Sequence, residues 1–245
     1  LPNQLRTEPA SIRDRLILAL DVPSVAQARA LVAEIGDSVT FYKIGMWLLF
    51  QPGADALIDS LVAAGKRVFL DYKMYDIGET VKRGVQSAAG RGITFVTVHG
   101  DEAIIRAAVE GRGDSTLKLL AITVLTSLDD AALHAMGYRL SVPELVALRV
   151  RTALECGCDG IVASAQDDPR TIRALVPGAE KLLIATPGIR MPDGRLHDHR
   201  RVADPATAIA RGADYLVVGR PILEAADRVQ AVEEIVDEMK KGLLF

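Results

Sequence analysis

The stretch Asp71-Tyr-Lys73-Met-Tyr-Asp76 places two carboxylates around one ammonium, directly after the apolar run Val68-Phe69-Leu70. Strand side chains alternate between faces, so residues two apart point the same way. Asp71 and Lys73 are therefore expected side by side where a buried strand ends, with Asp76 in the turn beyond. Crowding opposite charges into so short a stretch costs desolvation free energy, so such groups belong to a site rather than a core. Fixed charges of both signs suit the binding of a charged substrate and the stabilisation of charge that develops on it.

Other apolar runs end in chemistry of the same kind. The first ends in Asp21, the second carries Lys43, and the fifth leads into Thr126 and Ser127. The seventh leads into Pro187-Gly188-Ile189-Arg190 and the eighth into Gly219-Arg220-Pro221. A single Asp or Lys at such a place is ordinarily a helix cap or a surface charge. Charges of alternating sign at several strand ends argue against that plain account. The last two runs suit a phosphate: Gly219 admits a close backbone N–H, and Pro221 fits the first turn of a helix, whose N-terminus attracts anions. Arg220 adds a planar donor fork, and Arg190 stands in a loop able to reach the same place. The plain alternative is a tight strand-to-helix turn carrying an exposed Arg.

The elements that must position these residues are legible as short apolar runs separated by helical patterns. Strands are expected at Leu16–Val22, Phe41–Gly45, Val68–Lys73, Phe95–Gly100, Leu117–Leu125, Gly160–Ser164, Lys181–Thr186 and Tyr215–Gly219. Between them, segments such as Val25–Ile35, Ala54–Ala64 and Thr80–Arg91 carry apolar residues at helical spacing. Strict alternation of strand and helix means parallel pairing through right-handed crossovers. Eight such units in 245 residues give the size of a (β/α)8 TIM barrel, an α/β fold whose active sites lie at the C-terminal strand ends. A doubly wound open sheet is the runner-up, but no G-x-G-x-x-G follows the first strand. No linker or low-complexity tract interrupts the chain, so residues 1–245 read as one barrel domain with a short N-terminal lead-in at 1–13. Polar insertions are expected at Ser127–Val142 and at Arg190–Arg201, the second basic and rich in turn formers. Val232–Lys241 reads as an amphipathic last helix that closes the barrel.

Composition narrows the function. Ala, Val, Ile, Leu and their apolar kin make up 49% of the chain and aromatics 4%, the balance of buried parallel strands under helices. Mean hydropathy is +0.20. The net charge of -3 lacks the basic stripe of a nucleic-acid binder. No apolar run reaches the roughly 18–20 residues of a membrane span, and Leu1-Pro-Asn-Gln-Leu-Arg has no signal-peptide core. Cys156 and Cys158, one residue apart with no second pair, do not form a zinc motif. As reduced thiols near a helix end they point to a cytoplasmic setting.

Taken together, the motifs resemble the bacterial type of the orotidine 5′-phosphate decarboxylase family. The matching pieces are Leu-Ala-Leu-Asp21-Val, Tyr-Lys43-Ile-Gly, Asp71-x-Lys73-x-x-Asp76-Ile77-x-x-Thr80, Val-Leu-Thr126-Ser127, Thr186-Pro187-Gly-Ile-Arg190 and Val-Val-Gly219-Arg220-Pro. They run in order from the first strand to the eighth. The Asp-Lys-Asp motif alone is shared with related sugar-phosphate decarboxylases and synthases. The resemblance implies removal of the C6 carboxylate of orotidine 5′-monophosphate with no cofactor and no metal. It implies that Lys73 protonates C6, that Asp71 lies beside the substrate carboxylate, and that Lys43 and Asp76 complete a charged network. It further implies a homodimer in which Asp76 and Thr80 enter the partner's site, with Ile77 between them. Asp21 and Lys43 would hold ribose hydroxyls, and Thr126 and Ser127 the pyrimidine edge. Pro187, Arg190, His199, Gly219 and Arg220 would surround the phosphate.

Three positions depart from the family pattern. His199 stands where a Gln is usual, Tyr75 where a His is frequent, and Gly78 where a Pro is frequent. An imidazole donates one hydrogen bond and adds charge when protonated, so His199 implies a pH-sensitive phosphate grip. Gly78 is expected to loosen the turn after Asp76. Trp47 is expected to pack behind the second strand, His99 to be a satisfied core histidine, and His134 to be solvated in the polar insertion. Two rivals stay open. One is a magnesium-dependent decarboxylase or synthase of a sugar phosphate, with Asp21, Asp71 and Asp76 as oxygen ligands, which Lys43 and Lys73 argue against. The other is a catalytically inert barrel that senses a phosphate ligand.

Overall fold

The computed structural model describes residue 9, residues 11–192 and residues 203–244. Eight parallel strands close in sequence order into a barrel. They are β1 (Leu16–Ala19), β2 (Phe41–Gly45), β3 (Arg67–Met74), β4 (Phe95–His99), β5 (Lys118–Ile122), β6 (Gly160–Val162), β7 (Leu183–Thr186) and β8 (Tyr215–Val218). The ring closes where Leu16, Ile17 and Leu18 of β1 stand in register with Leu216, Val217 and Val218 of β8. All eight expected strands are present, most of them a residue or more shorter at the C-terminal end, where the chain turns out toward the mouth.

Why the strands are buried on both faces follows from what surrounds them. Leu16, Leu18, Tyr42, Ile44, Val68, Val96 and Val98 face outward against the helices, in one continuous core. The alternate residues Ile17, Phe41, Phe69, Phe95, Leu120, Leu183, Tyr215 and Val217 fill the barrel interior. Four rings there meet edge to face, Phe95 lying 5.0 Å from Phe41, 5.8 Å from Phe69 and 5.1 Å from Tyr215 between centroids. Such packing makes an apolar floor. Two residues further along the same strands, the inward positions become Lys43, Asp71 and Thr97. The period of two therefore lifts a polar layer directly above the aromatic one.

Acidic residues at the opposite end of the barrel do something else. Asp214, 5% exposed, accepts the Ile184 N–H at 2.8 Å and the Arg173 guanidinium at 2.6 Å. Asp159 accepts the Leu119 N–H at 2.9 Å and also pairs with Arg112 and Lys118. Each sits just before a strand and ties it to a neighbour, a stabilising role typical of the N-terminal face. Arg13, at the edge of the expected lead-in, is anchored rather than loose: its guanidinium forks onto Glu233 at 2.8 and 2.6 Å.

Helices fall where the periodicity places them. Val25–Ile35 matches residue for residue, with the Ser24 hydroxyl accepting the Gln27 N–H as its cap. The helix after β3 begins earlier than expected, at Gly78, and runs to Gly90. Gly78 is thus the first helical residue after the turn that holds Asp76 and Ile77. A Cβ there would lie 3.4 Å from Ala107 Cβ of Glu102–Arg112, an ordinary contact, so space alone does not require glycine. The insertion after β5 holds a short helix, Asp130–Ala135, capped by Asp129, with His134 on its exposed side. The last helix is longer than expected, Arg228–Gly242. Trp47 is not packed behind β2: it is 55% exposed on the short helix Met46–Leu49. Among the described residues no helix is long and apolar enough to cross a membrane.

Candidate active site

The polar layer above the aromatic floor is a chain of alternating charges. Lys43 Nζ lies 3.0 Å from Asp21 Oδ1 and 3.6 Å from Asp71 Oδ2. Lys73 Nζ donates to Asp71 Oδ1 at 2.8 Å. Lys43 is 8% exposed, a cation that could not be buried without these two partners. Gly45, two residues on, leaves room for the first pair: a Cβ there would sit 3.0 Å from Lys43 Nζ and 3.3 Å from Asp21 Oδ1. Lys73 is more open, its side chain 41% exposed, so its ammonium looks out of the mouth while its carboxylate partner stays inside.

Asp71 is the electrostatic centre. Burial, the largest influence, pushes its pKa up, yet the charges of Lys43 and Lys73 and the hydrogen bonds from Lys73 and Thr97 together hold it below the usual carboxylate value. A carboxylate depressed in this way stabilises the fold above the ordinary Asp range, and that contribution is lost as pH falls through the depressed value.

The local backbone departs from plain alternation. Lys73 has φ +55°, in the left-handed region, where a residue with a side chain costs about 1–3 kcal/mol. Pairing with β4 shifts here: Leu70 faces Val96 and Met74 faces Val98, so two extra residues are taken up on β3. The bulge holds Asp71 and Lys73 close together, and the N–H of Lys73 finds a side-chain acceptor, Thr97 Oγ1, at 2.9 Å. The same hydroxyl donates to Asp71 Oδ1 at 3.0 Å. Thr97 was not singled out in the sequence. Its signal was available: it lies midway between Phe95 and His99 on the inward face of β4.

The remaining expected residues are placed as follows. Asp76 is exposed and its Oδ1 accepts the Ile77 N–H at 2.7 Å. Among the described residues it has no ion pair, so within one chain it stands outside the network of Asp21, Lys43, Asp71 and Lys73. Ile77 is 73% exposed, and Thr80 is exposed in the first turn of Gly78–Gly90. Thr126 is half-buried and Ser127 exposed beyond β5. Pro187 follows β7, and the loop root is clasped by a bridge between Ile189 and Ala203, with the Arg190 N–H donating to Ala203 O at 3.0 Å. Gly219 lies by the first-strand charge, since a Cβ there would be 3.8 Å from Asp21 Oδ2. That is ordinary contact, so space alone does not require glycine. Arg220 opens the short helix Arg220–Leu223. His199 and His197 lie outside the described residues.

His99 is a rim residue rather than a core histidine. Its Nδ1 is 3.1 Å from Asp101 Oδ2, and its ring lies on Tyr75 at 4.3 Å. Burial and the nearby Arg149 lower its pKa against the opposing pull of Asp101, which favours the neutral ring. Arg149, 7% exposed, donates to Thr123 O and lies 3.8 Å from Asp101 Oδ1. A buried Arg among Val142, Leu145, Val146, Val150 and Ala153 of one helix was legible as a break in an apolar stripe.

Comparison with known proteins identifies relatives of the whole barrel. Residues 14–235 match the sequence model of the orotidine 5′-phosphate decarboxylase / HUMPS family. A Rhodopseudomonas palustris (strain BisA53) protein named orotidine 5′-phosphate decarboxylase is 53% identical over 232 residues, 95% of this chain and 97% of the relative. A protein of the same name from Methylobacterium radiotolerans is 50% identical over 233 residues, 95% of this chain and 99% of its own. The crystal structure of orotidine 5′-phosphate decarboxylase from Lactobacillus acidophilus superposes with a TM-score of 0.79 at 35% identity, covering 92% of this chain and 99% of that one. With its barrel, its mouth of alternating charges and these relatives, the chain belongs to the orotidine 5′-phosphate decarboxylase / HUMPS family.

Proposed function

We propose that this chain is a carboxy-lyase that converts orotidine 5′-monophosphate to uridine 5′-monophosphate and carbon dioxide, with Lys73 as the proton donor. The observation that carries the mechanism is the Lys73 ammonium, 2.8 Å from Asp71 and half open to the mouth. The bond between C6 and its carboxylate breaks, the electron pair stays on C6, and carbon dioxide leaves. An N–H proton of Lys73 then forms the new C6–H bond, leaving a neutral amine that solvent re-protonates. A cation already in place stabilises the nascent carbanion with little reorganisation. Asp71 keeps that cation charged and aimed. Lys43, locked between Asp21 and Asp71, does not swing away and leave Asp71 unbalanced.

The substrate's remaining groups fall to the residues around the mouth. Asp21 and Lys43 are assigned to ribose hydroxyls, Thr126 and Ser127 to the pyrimidine edge. Pro187, Arg190, His199, Gly219 and Arg220 are assigned to the phosphate. Binding energy from a phosphate remote from C6 is available to order the site and exclude water. Arg220→Ala is accordingly expected to raise KM about 10- to 100-fold, matching about 1.5–3 kcal/mol for a hydrogen bond to a charged group. Steady-state kinetics in orotidine 5′-monophosphate check this; a fall in kcat at unchanged KM removes Arg220 from the phosphate site.

Two subunits are assigned to each site. Among the described residues Asp76 meets no cation of its own chain, although Lys73 is three residues away. It shares its turn with exposed Tyr75 and Ile77, 66% and 73% accessible, and Tyr72 at the end of β3 is 42% accessible. Apolar surface of that kind on a turn bearing a lone carboxylate fits insertion into a second copy. The buried, unlinked Cys156 and Cys158 accord with a reducing cytoplasm.

A magnesium-dependent route to a sugar-phosphate product needs carboxylates free to converge on one ion. Here Lys43 lies between Asp21 and Asp71, and among the described residues no three His, Cys, Asp or Glu side chains gather as a metal site. An ultraviolet assay on orotidine 5′-monophosphate with and without EDTA separates the readings. Equal turnover in both is expected. Loss with EDTA favours the metal enzyme, and nucleotide binding without turnover favours a sensor.

A further inference from the structure

We infer that Thr97 is a positioning residue for the decarboxylation: its hydroxyl fixes the backbone of Lys73 and the carboxylate of Asp71 to each other. The inference rests on the assignment of Lys73 as proton donor and adds a residue that the active-site motifs do not contain. Thr97 is fully buried on the inward face of β4. Its oxygen takes the Lys73 N–H at 2.9 Å, and its proton goes to Asp71 Oδ1 at 3.0 Å. The Lys73 ammonium returns to that same Oδ1 at 2.8 Å. The contacts form a ring that runs from the lysine backbone through the threonine and the aspartate to the tip of the lysine.

The direction of each bond in the ring is forced. A backbone N–H only donates and a carboxylate only accepts, so the hydroxyl has a single orientation open to it. The ring forms where the β3–β4 ladder is interrupted, between the Leu70–Val96 and Met74–Val98 pairings. In an uninterrupted ladder a main-chain carbonyl of β4 would receive the N–H of β3. The side chain of Thr97 replaces it and so holds Lys73 at φ +55°. Without the hydroxyl, that N–H is left facing a buried apolar group and the left-handed conformation loses its support. Asp71 would keep both lysines as partners but lose the bond that sets the plane of its carboxylate.

Thr97→Val keeps the shape and removes the ring, while Thr97→Ser keeps the hydroxyl on a smaller side chain. The purified full-length variants and Lys73→Ala are compared in kcat, KM and melting temperature. The expected result for Thr97→Val is a fall in kcat of about 100-fold, the scale of an ångström of misplacement, with KM near wild type. Thr97→Ser recovers most of the lost kcat. A crystal structure of Thr97→Val should show Lys73 out of the left-handed region. The inference is overturned if Lys73→Ala is inactive but Thr97→Val turns over like wild type. It is equally overturned if valine and serine lower kcat alike, or if both merely lower the melting temperature. Turnover surviving in Lys73→Ala instead overturns the assignment of Lys73, whatever the Thr97 variants do.

Discussion

Lys73→Ala is expected to lose decarboxylase activity by at least about 10⁴-fold while still binding uridine 5′-monophosphate. The figure combines the 10²–10⁴-fold typical of a positioned proton donor with the 10²–10³-fold of a preorganised charge at the developing anion. Product binding is expected to survive because the phosphate and ribose contacts are assigned to the other strands. The variant should also remain folded. The Lys73 side chain is 41% exposed, and its removal leaves Asp71 still facing Lys43 and Thr97. Single-turnover absorbance measurements with titration calorimetry of the product check both halves. Turnover within tenfold of wild type would take the proton-donor role away from Lys73.

The second large effect concerns Asp76, the carboxylate that meets no cation among the described residues of its own chain. Asp76→Ala is expected to be as inactive as Lys73→Ala, within about tenfold, because each proposed site then lacks one of its four charges. Mixing the two inactive variants after dissociation and reassociation should restore activity. In a mixed dimer one site has lost both Lys73 and Asp76, and the other has kept both. Random pairing makes half of the dimers mixed, each with one intact site, so recovery should approach a quarter of wild-type activity. Activity remaining at background in a mixture shown by mass spectrometry to contain mixed dimers would place Asp76 in its own chain's site or outside any site.

Which parts were legible in the sequence follows from how local their causes are. The strands and the helix Val25–Ile35 are set by alternation, spacing and a serine cap, all contained in a few consecutive residues. The charged strand ends were legible for the same reason, since Asp21, Lys43 and Asp71 need only the period of two to reach the mouth. What escaped depends on contacts between segments. The left-handed backbone of Lys73 is held by a hydroxyl on the next strand, and nothing in Asp71-Tyr-Lys73 announces it. The short helix Asp130–Ala135 was read as part of a polar insertion because it is too brief to show a period. Trp47 sits in the apolar run Gly-Met-Trp-Leu-Leu, but the exposure of a large ring depends on what else the fold brings over it.

The four edge-to-face rings beneath the site have one more consequence. Phe41, Phe69, Phe95 and Tyr215 fill the barrel beneath the polar layer, so the site opens on the side of the strand C-termini and not through the floor. Gas and nucleotide must leave by the opening through which the reactant came. Each departing nucleotide obstructs the next arrival, so product concentration itself becomes a throttle on flux.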